Sequence, residues 1–426
     1  MDTSKKFQQS LKAISNPSGT YDKSERYDMS NFVCHSIPVQ GVLKWTVGKL
    51  LVFGFVLLFP FGQLLRFEVS FLGRIIPILA VDVASGLTLF LYPYLEKPKI
   101  SKLFLNFIWV SLFSLILSVA YFDIGSVFVG SFYLVRILAY FSFFVLAWNL
   151  IKCDLQLKKT LFGVITVSLI FTAVLGWIQY FWFFDLTSLK YLGWDDHLGR
   201  ITGTFLDPTF AGITFVFAFF TVLLKLVREK RKIFLFLSLF FLLSIAFTYS
   251  RASFLSLLAG GIAVTFLEKK IRVKLLFLGL FVAILIFLPR SKGEGVRLER
   301  TRSIEARVGN YRETLQIFRQ YPVLGVGMNN LCSFRVKMSG QSGRSHSCGG
   351  SDSSLLYILA TTGVVGFFVF SNLVLGFFRS ISSDYYGNLT KICIISLGIH
   401  SIFANSLFYP WVIGFASLLL AASVRE

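Results

Sequence analysis

Charged residues are scarce in this sequence of 426 residues. Asp, Glu, Lys and Arg together account for 15% of the chain, whereas soluble globular proteins average about 25%. Because so few charges leave little to coat a surface in water, the composition excludes an ordinary soluble enzyme. The hydrophobic fraction of 55% also excludes a disordered chain, and 5 cysteines are too few for a disulfide scaffold.

Long apolar runs are abundant instead. The mean hydropathy is +0.70, and a helix needs about 20 apolar residues to cross a bilayer while satisfying its own backbone. Such runs predict an all-α, polytopic membrane protein with about 12 transmembrane helices. The predicted spans lie near residues 43–60, 73–93, 103–121, 127–151, 159–182, 207–226, 232–249, 251–267, 272–289, 353–378, 389–405 and 409–423.

Lys and Arg concentrate in alternate connectors between these spans, as they do on the cytoplasmic side of membrane proteins. The alternation predicts that both termini are cytoplasmic. It divides the chain into a cytoplasmic tail, nine spans, one large periplasmic loop and three more spans, at residues 1–42, 43–289, 290–352 and 353–426. The net charge of +20 then belongs to the membrane faces and indicates no nucleic-acid partner.

The predicted periplasmic loop carries nine Arg and two Lys against five acidic residues. The planar guanidinium binds phosphate and carboxylate oxygens in pairs, so this composition favours a lipid with an anionic head group. Within the loop, Tyr311, Leu315 and Phe318 share one face of a predicted amphipathic helix that ends at Tyr321-Pro322 and is followed by a tight turn at Gly325-Val-Gly327. The alternative is a solvated basic loop without chemistry.

An arginine inside a predicted span and the cysteines limit the possible chemistry. Arg136 falls well inside the fourth predicted span, where a charge is costly unless paired, so a structural partner is favoured over a substrate role. The cysteines show no metal-ligand spacing, and neither a metal nor a cofactor is predicted. Cys332 and Cys348 share the predicted loop, where an oxidising periplasm permits a disulfide between them.

Several motifs occur in a fixed order along the second half of the chain. Arg200 opens a segment that runs to Pro208, and Arg251 begins an Arg-x-x-x-Leu motif. Arg307 lies fifteen residues before Pro322, and Asp352-Ser353 is followed after nine residues by Gly363-Val-Val-Gly366. With one large outer loop, this arrangement resembles the bacterial O-antigen ligase and O-antigen polymerase superfamily. Ligases of that family usually carry His where this chain has Asp352; the nearest histidine is His346.

The resemblance implies a glycosyltransferase of lipopolysaccharide biosynthesis in a bacterial inner membrane. It also implies a reaction that is independent of metals and inverts the anomeric centre. The donor would be an undecaprenyl-pyrophosphate-linked glycan, and the acceptor a hydroxyl of a lipid, a protein or another glycan at the periplasmic face. It implies Arg251, Arg307, Arg312 and Arg200 as ligands of the diphosphate, because fixed cations stabilise charge on a departing oxygen. Asp352 or His346 would be the base for the acceptor hydroxyl.

Alternatives remain open at each level. Within the superfamily, a ligase and a polymerase differ in the acceptor; the ligase assignment is slightly favoured by the arginine motifs. A flippase or transporter of lipid-linked glycan is the competing class, although the sequence lacks the internal repeats typical of transporters. At the residue level, Arg251 is alternatively an interfacial anchor, Arg307 a surface residue paired with Glu305, and Asp352 a helix N-cap.

Overall fold

A computed structural model of the chain describes residues 39–71, 74–268, 271–289, 294–299, 301–339 and 348–425. Contacts divide the chain into two units, Met1–Thr46 and Val47–Glu426. In the first unit only the start of helix α1 is described. The helices are α1 Val39–Leu58, α2 Ala80–Leu87, α3 Ser101–Leu117, α4 Ile124–Cys153, α5 Leu155–Trp182, α6 Pro208–Glu229, α7 Lys232–Phe247, α8 Arg251–Glu268, α9 Ile271–Phe287, α10 Arg302–Gln320, α11 Leu331–Ser339, α12 Ser354–Ser380, α13 Tyr385–Phe403 and α14 Pro410–Ser423.

The helices confirm a multi-pass membrane protein. Within the described residues, seven helices are long and apolar enough to cross a membrane, and four shorter apolar helices accompany them. Eleven of the twelve predicted spans each coincide with a single helix, with ends that agree within a few residues. The count of twelve crossings itself stays a prediction.

The predicted span at 73–93 is the exception, because it is not one helix. Residues Arg66–Phe71 (β1) and Arg74–Leu79 (β2) form an antiparallel hairpin in which Arg66 pairs with Leu79. The short helix α2 follows. Pro77 accounts for the difference, since a proline inside a helix removes a hydrogen bond and clashes with the preceding turn. The prediction of an all-α fold was therefore wrong for this segment, which forms a small two-stranded sheet.

Arg136 has the structural partner that its position requires. Its Nη2 lies 2.8 Å from Oδ2 of Asp82 and donates to the carbonyl oxygen of Pro77 at 2.7 Å. The hydroxyl of Tyr140 donates to the other oxygen of Asp82 at 3.1 Å. This ion pair joins α4 to the hairpin and to α2, and it satisfies the half-buried charges.

Helix α12 is interrupted at Gly363, whose φ of 65° lies in the left-handed region. The predicted turn at Gly325 and Gly327, with φ of 69° and 88°, fits into this interruption. A Cβ at Gly363 would collide with the carbonyl oxygen of Val323, so only glycine allows the approach. Backbone hydrogen bonds of 2.9–3.3 Å join the two segments, from Val326 to Ala360, Gly327 to Thr361, Val364 to Pro322 and Val365 to Val323.

This junction fixes α10 against α12, because α10 ends immediately before the inserted turn, as predicted. Thr314 and Ile317 are buried on the inner face of α10, and Tyr311, Leu315 and Phe318 are half-buried beside them. Non-helical backbone is tolerated near a membrane where it is buried in protein and its polar groups are satisfied. The arginine-bearing helix is thereby placed over the start of α12.

Candidate functional site

The backbone around Asp352 is held by α10. Asn310 accepts the backbone N–H of Asp352 at 2.9 Å and the hydroxyl of Ser351 at 3.1 Å through the same oxygen. The hydroxyl of Tyr311 donates to the carbonyl oxygens of Ile402 and Asp352, at 2.7 and 3.4 Å. The segment before α12 is therefore ordered by side chains of the preceding amphipathic helix.

The carboxylate of Asp352 has no role as a helix cap. Ser353 is the N-cap of α12, and its hydroxyl accepts the N–H of Leu356 at 3.4 Å. Among the described residues, the side chain of Asp352 makes no hydrogen bond. Desolvation raises the pKa of Asp352; the charges of Arg307 and Arg335 oppose this shift and that of Asp207 adds to it. A half-buried carboxylate with a raised pKa is a candidate base.

Arg307 of α10 supplies a positive charge that acts on this carboxylate. It is half-buried, and within the described part of the chain it forms no hydrogen bond and no ion pair, so the alternative of a pair with Glu305 is not found. Its charge acts on Asp352, Arg251 and the buried His400. A guanidinium with open donors, partly out of water, favours an anionic ligand.

Arg251 lies beside Arg307 but is tethered. At the first residue of α8, it donates to the carbonyl oxygen of Leu298 at 3.2 Å and to the hydroxyl of Ser303 at 2.7 Å. These contacts connect α8 to the start of α10. The two like charges act on each other, and an anion bound between them would relieve that repulsion.

Arg200 binds backbone carbonyl groups at the junction between α7 and α8. It is 8% exposed, and its guanidinium donates to the carbonyl oxygens of Thr248 at 2.9 Å and Tyr249 at 3.4 Å, between α7 and α8. The segment that Arg200 begins is clamped by Gln179, whose Oε1 accepts the N–H groups of Thr202 at 2.9 Å and Gly203 at 3.2 Å. Arg200 is thus near the site and engaged in holding its frame.

Arg312 does not belong to this cluster. Arg312 is exposed and lies two residues from Asn310, on about the opposite face of α10. His346 lies outside the described residues. The structure therefore assembles Arg251, Arg307 and Asp352, with Arg200 at the edge.

Four polar residues in the assembly were not predicted from the sequence. Asn310 and Arg335 hold the Asp352 segment, while His400, on which the charge of Arg307 acts, contacts Ser253 at 3.4 Å and Ser406 at 2.5 Å. Asp207, the N-cap of α6, adds a carboxylate whose charge acts on Asp352 and Asp195. Asp207 had a sequence signal, since it lies in the segment from Arg200 to Pro208 and directly precedes a proline that begins a helix.

The disulfide that the sequence left open is present. Cys332, at the start of α11, is bonded to Cys348, with 4.9 Å between their Cα atoms. The bond ties α11 to the segment that leads from Cys348 to Asp352. Among the described residues, no group of three or more His, Cys, Asp or Glu side chains is arranged to hold a metal ion.

One protein-family model matches part of the chain. Residues 236–371 match the family model described as O-antigen ligase. The resemblance to the O-antigen ligase and polymerase superfamily is confirmed over this segment. The O-antigen ligase match runs from within α7 to within α12, so it contains Arg251, Arg307, Asp352 and the interruption at Gly363. Arg200 lies outside it. No curated protein matches the chain.

Proposed function

We propose that the protein transfers a glycan from an undecaprenyl-pyrophosphate carrier to an acceptor hydroxyl, in the manner of an O-antigen ligase. The observation that carries the proposal is that the guanidinium of Arg307 acts electrostatically on the carboxylate of Asp352 while neither side chain has a hydrogen-bonded partner among the described residues, both inside the O-antigen ligase match. Phosphate recognition and proton removal are the two tasks that this transfer requires. One residue is suited to each.

In the proposed step, the acceptor oxygen attacks the anomeric carbon of the glycan. The bond from this carbon to the diphosphate breaks, and its electron pair leaves with the diphosphate. Arg307, with Arg251 beside it, stabilises the charge that develops on the departing oxygen. Asp352 takes the proton of the acceptor hydroxyl. A single displacement of this kind inverts the anomeric centre and needs no covalent enzyme intermediate.

The helix ends around the site support an anionic ligand. Helices α6, α8 and α12 begin at Pro208, Arg251 and Ser354. The hydroxyl of Ser253 donates to the carbonyl oxygen of Thr209 at 3.4 Å, and that of Ser353 to Ser401 at 3.3 Å, so these helix starts meet near the end of α13. The N-terminus of a helix carries a partial positive charge that favours phosphate oxygens.

Contacts at the other face support the proposed orientation in a bacterial inner membrane. Lys152 pairs with Glu96 at 2.6 Å and Lys158 with Asp384 at 3.7 Å, and all four residues belong to connectors expected in the cytoplasm. Basic connectors that meet on one face agree with cytoplasmic termini, and this supports a periplasmic location for the face that carries Asp352. A periplasmic site has access to exported carrier-linked glycans.

The alternative within the superfamily is a polymerase, which adds the glycan to another carrier-linked glycan. Asp352 stands where ligases usually carry His, and this keeps the polymerase open while the arginine motifs favour the ligase. We propose Arg251 and Arg307 as diphosphate ligands in either case. Arg200 is proposed as a positioning residue because its donors bind backbone carbonyls, and Arg312 as an outer contact for the glycan or head groups.

Complementation of a deletion strain tests the proposal. Arg307→Gln and Asp352→Asn are expected to abolish the glycan product while the protein still inserts in the membrane at normal levels. Arg319→Gln is the matched control, because Arg319 is an exposed cation on the same helix. Wild-type glycan profiles in both site variants would contradict the proposed function and favour a lipid-binding scaffold.

A further inference from the structure

Arg335 on α11 holds the segment that leads to Asp352. Its Nη1 donates to the carbonyl oxygens of Cys348 and Gly350, both at 2.7 Å. Its Nε lies 3.2 Å from the carboxylate of Glu313 on α10, and only 11% of the arginine side chain is exposed. The planar fork thus spans α10 and the Asp352 segment at once, which a lysine ammonium cannot reproduce with the same geometry.

The disulfide restrains the same segment from its other end. Cys332 begins the turn of α11 that precedes Arg335, and Cys348 lies four residues before Asp352. The segment is therefore joined to α11 covalently at Cys348 and by hydrogen bonds at Cys348 and Gly350. Its next two residues, Ser351 and Asp352, are bound by Asn310 of α10.

We propose that Arg335, supported by the Cys332–Cys348 disulfide, is a positioning residue that keeps the carboxylate of Asp352 within electrostatic reach of Arg307. This inference rests on the proposed function, because it takes Asp352 as the base. It makes α10, α11 and the Asp352 segment one unit, so that the base and the diphosphate ligand keep a constant geometry. A displacement of about 1 Å in such a geometry lowers turnover about a hundredfold.

The charge of Arg335 provides a readout that a purely structural contact would not change. The charged groups that act on Asp352 are Arg307 of α10, Arg335 of α11, Asp207 before α6 and Asp195 in the preceding loop. Arg335 and Arg307 lower the pKa of Asp352, against the desolvation that raises it. Removing Arg335 therefore raises this pKa further, so protonation inactivates the base at a higher pH.

The first experiment measures turnover against pH in membranes that contain native donor and acceptor, as release of undecaprenyl pyrophosphate. Arg335→Gln is expected to lower turnover about a hundredfold and to move the acid limb of the profile to higher pH. Arg335→Lys keeps the charge but loses the fork, so it should lower turnover while the acid limb stays in place. Arg319→Gln is the control and should match the wild type in both measurements.

The second experiment reduces the disulfide in the folded protein and uses no substitution of Arg335. Adding a reductant to the wild type in nanodiscs is expected to lower turnover and to speed deuterium exchange of the amides at 348–352. Reoxidation should restore both. The double variant Cys332→Ser, Cys348→Ser should resemble the reduced wild type and be insensitive to reductant. A reductant effect that persists in this variant would arise from another bond and would overturn the role of Cys332–Cys348.

The two proposals fail in different ways. If the wild type shows no turnover of the lipid-linked donor, the proposed function itself is wrong. If Asp352→Asn keeps normal turnover, Asp352 is not the base, and the positioning role that rests on it is wrong. If Asp352→Asn is inactive while Arg335→Gln and the reduced wild type keep wild-type turnover and pH profile, only the positioning role is wrong. If Arg335→Gln does not fold, the reduction experiment and Arg335→Lys decide the outcome.

Discussion

The side-chain oxygen of Asn310 accepts the backbone N–H of Asp352 at 2.9 Å. The two residues are 42 positions apart, and Arg307 lies three residues before Asn310 on the same helix. One turn of α10 therefore carries both the cation and the side chain that orients the candidate base. A substitution of Asn310 therefore tests whether the position of Asp352 relative to Arg307 matters for activity.

Replacing Asn310 with alanine should lower turnover about tenfold or more, because the Asp352 segment loses two hydrogen bonds while the carboxylate remains. Binding of the lipid-linked donor should change little, since Arg307 and Arg251 are untouched. The control is Gly309→Ala, because a Cβ at Gly309 meets open space. Turnover and donor binding in nanodiscs check the prediction; equal turnover in both variants would contradict it.

Arg307 and Arg200 should differ in which property they control. Arg307→Gln is expected to weaken donor binding without lowering the melting temperature, because Arg307 has no hydrogen-bonded partner among the described residues. Arg200→Met leaves the carbonyls of Thr248 and Tyr249 without their donors, which costs about 1–3 kcal/mol of stability. Thermal unfolding and donor titration of both variants separate these effects. A melting temperature unchanged in Arg200→Met would count against its positioning role.

The rate of transfer should depend on pH through Asp352. Desolvation raises the pKa of this carboxyl above its ordinary value of 3.8, and the base acts only when deprotonated. Activity is therefore present above the raised pKa and is lost as the pH falls through it. Donor binding should not show the same limb, because arginine stays charged. A rate that remains constant down to about pH 4, where ordinary carboxylates titrate, would contradict this assignment.

Gly363→Ala should be among the most destabilising small substitutions in the protein. A Cβ there would collide with the backbone of the Val323 turn, and the positive φ adds strain. Gly261→Ala is the control, because helix α8 offers open space at that position. The expected result is loss of folded protein for Gly363→Ala and a normal melting temperature for Gly261→Ala. Equal stability would mean that the turn does not insert into α12 as described.

The transmembrane helices were predictable because apolar length is a local property of the sequence. The exception at 73–93 arose because hydropathy counts Pro77 as one neutral position and ignores its missing N–H. The glycine turn and the end of α10 were also local signals. The packing partner of the turn was not predictable from a local signal, because Gly325 contacts helix α12 at its interruption near Gly363.

The candidate site was only partly predictable for the same reason. The charges of Arg307 and Asp352 were identified from motif order, and the structure brings them together. Arg200 has the same residue type as Arg307, but its position next to the end of α7 directs its donors to carbonyls. The role of Arg335 depends on a segment 13–15 residues further along the chain. Such contacts are set by tertiary packing, which no local pattern encodes.

Titration of the purified protein in nanodiscs with undecaprenyl-pyrophosphate-linked glycan tests the central claim most directly. Products are followed by gel and mass spectrometry. The wild type, Arg319→Gln and Asp352→Asn should bind the donor, whereas Arg307→Gln should bind it weakly. A ladder of longer carrier-linked glycans from the wild type, absent with Asp352→Asn, would make the protein a polymerase; bound donor without a ladder would make it a ligase that requires its acceptor. Absence of saturable binding to the wild type, or equal binding to Arg307→Gln, would contradict the account.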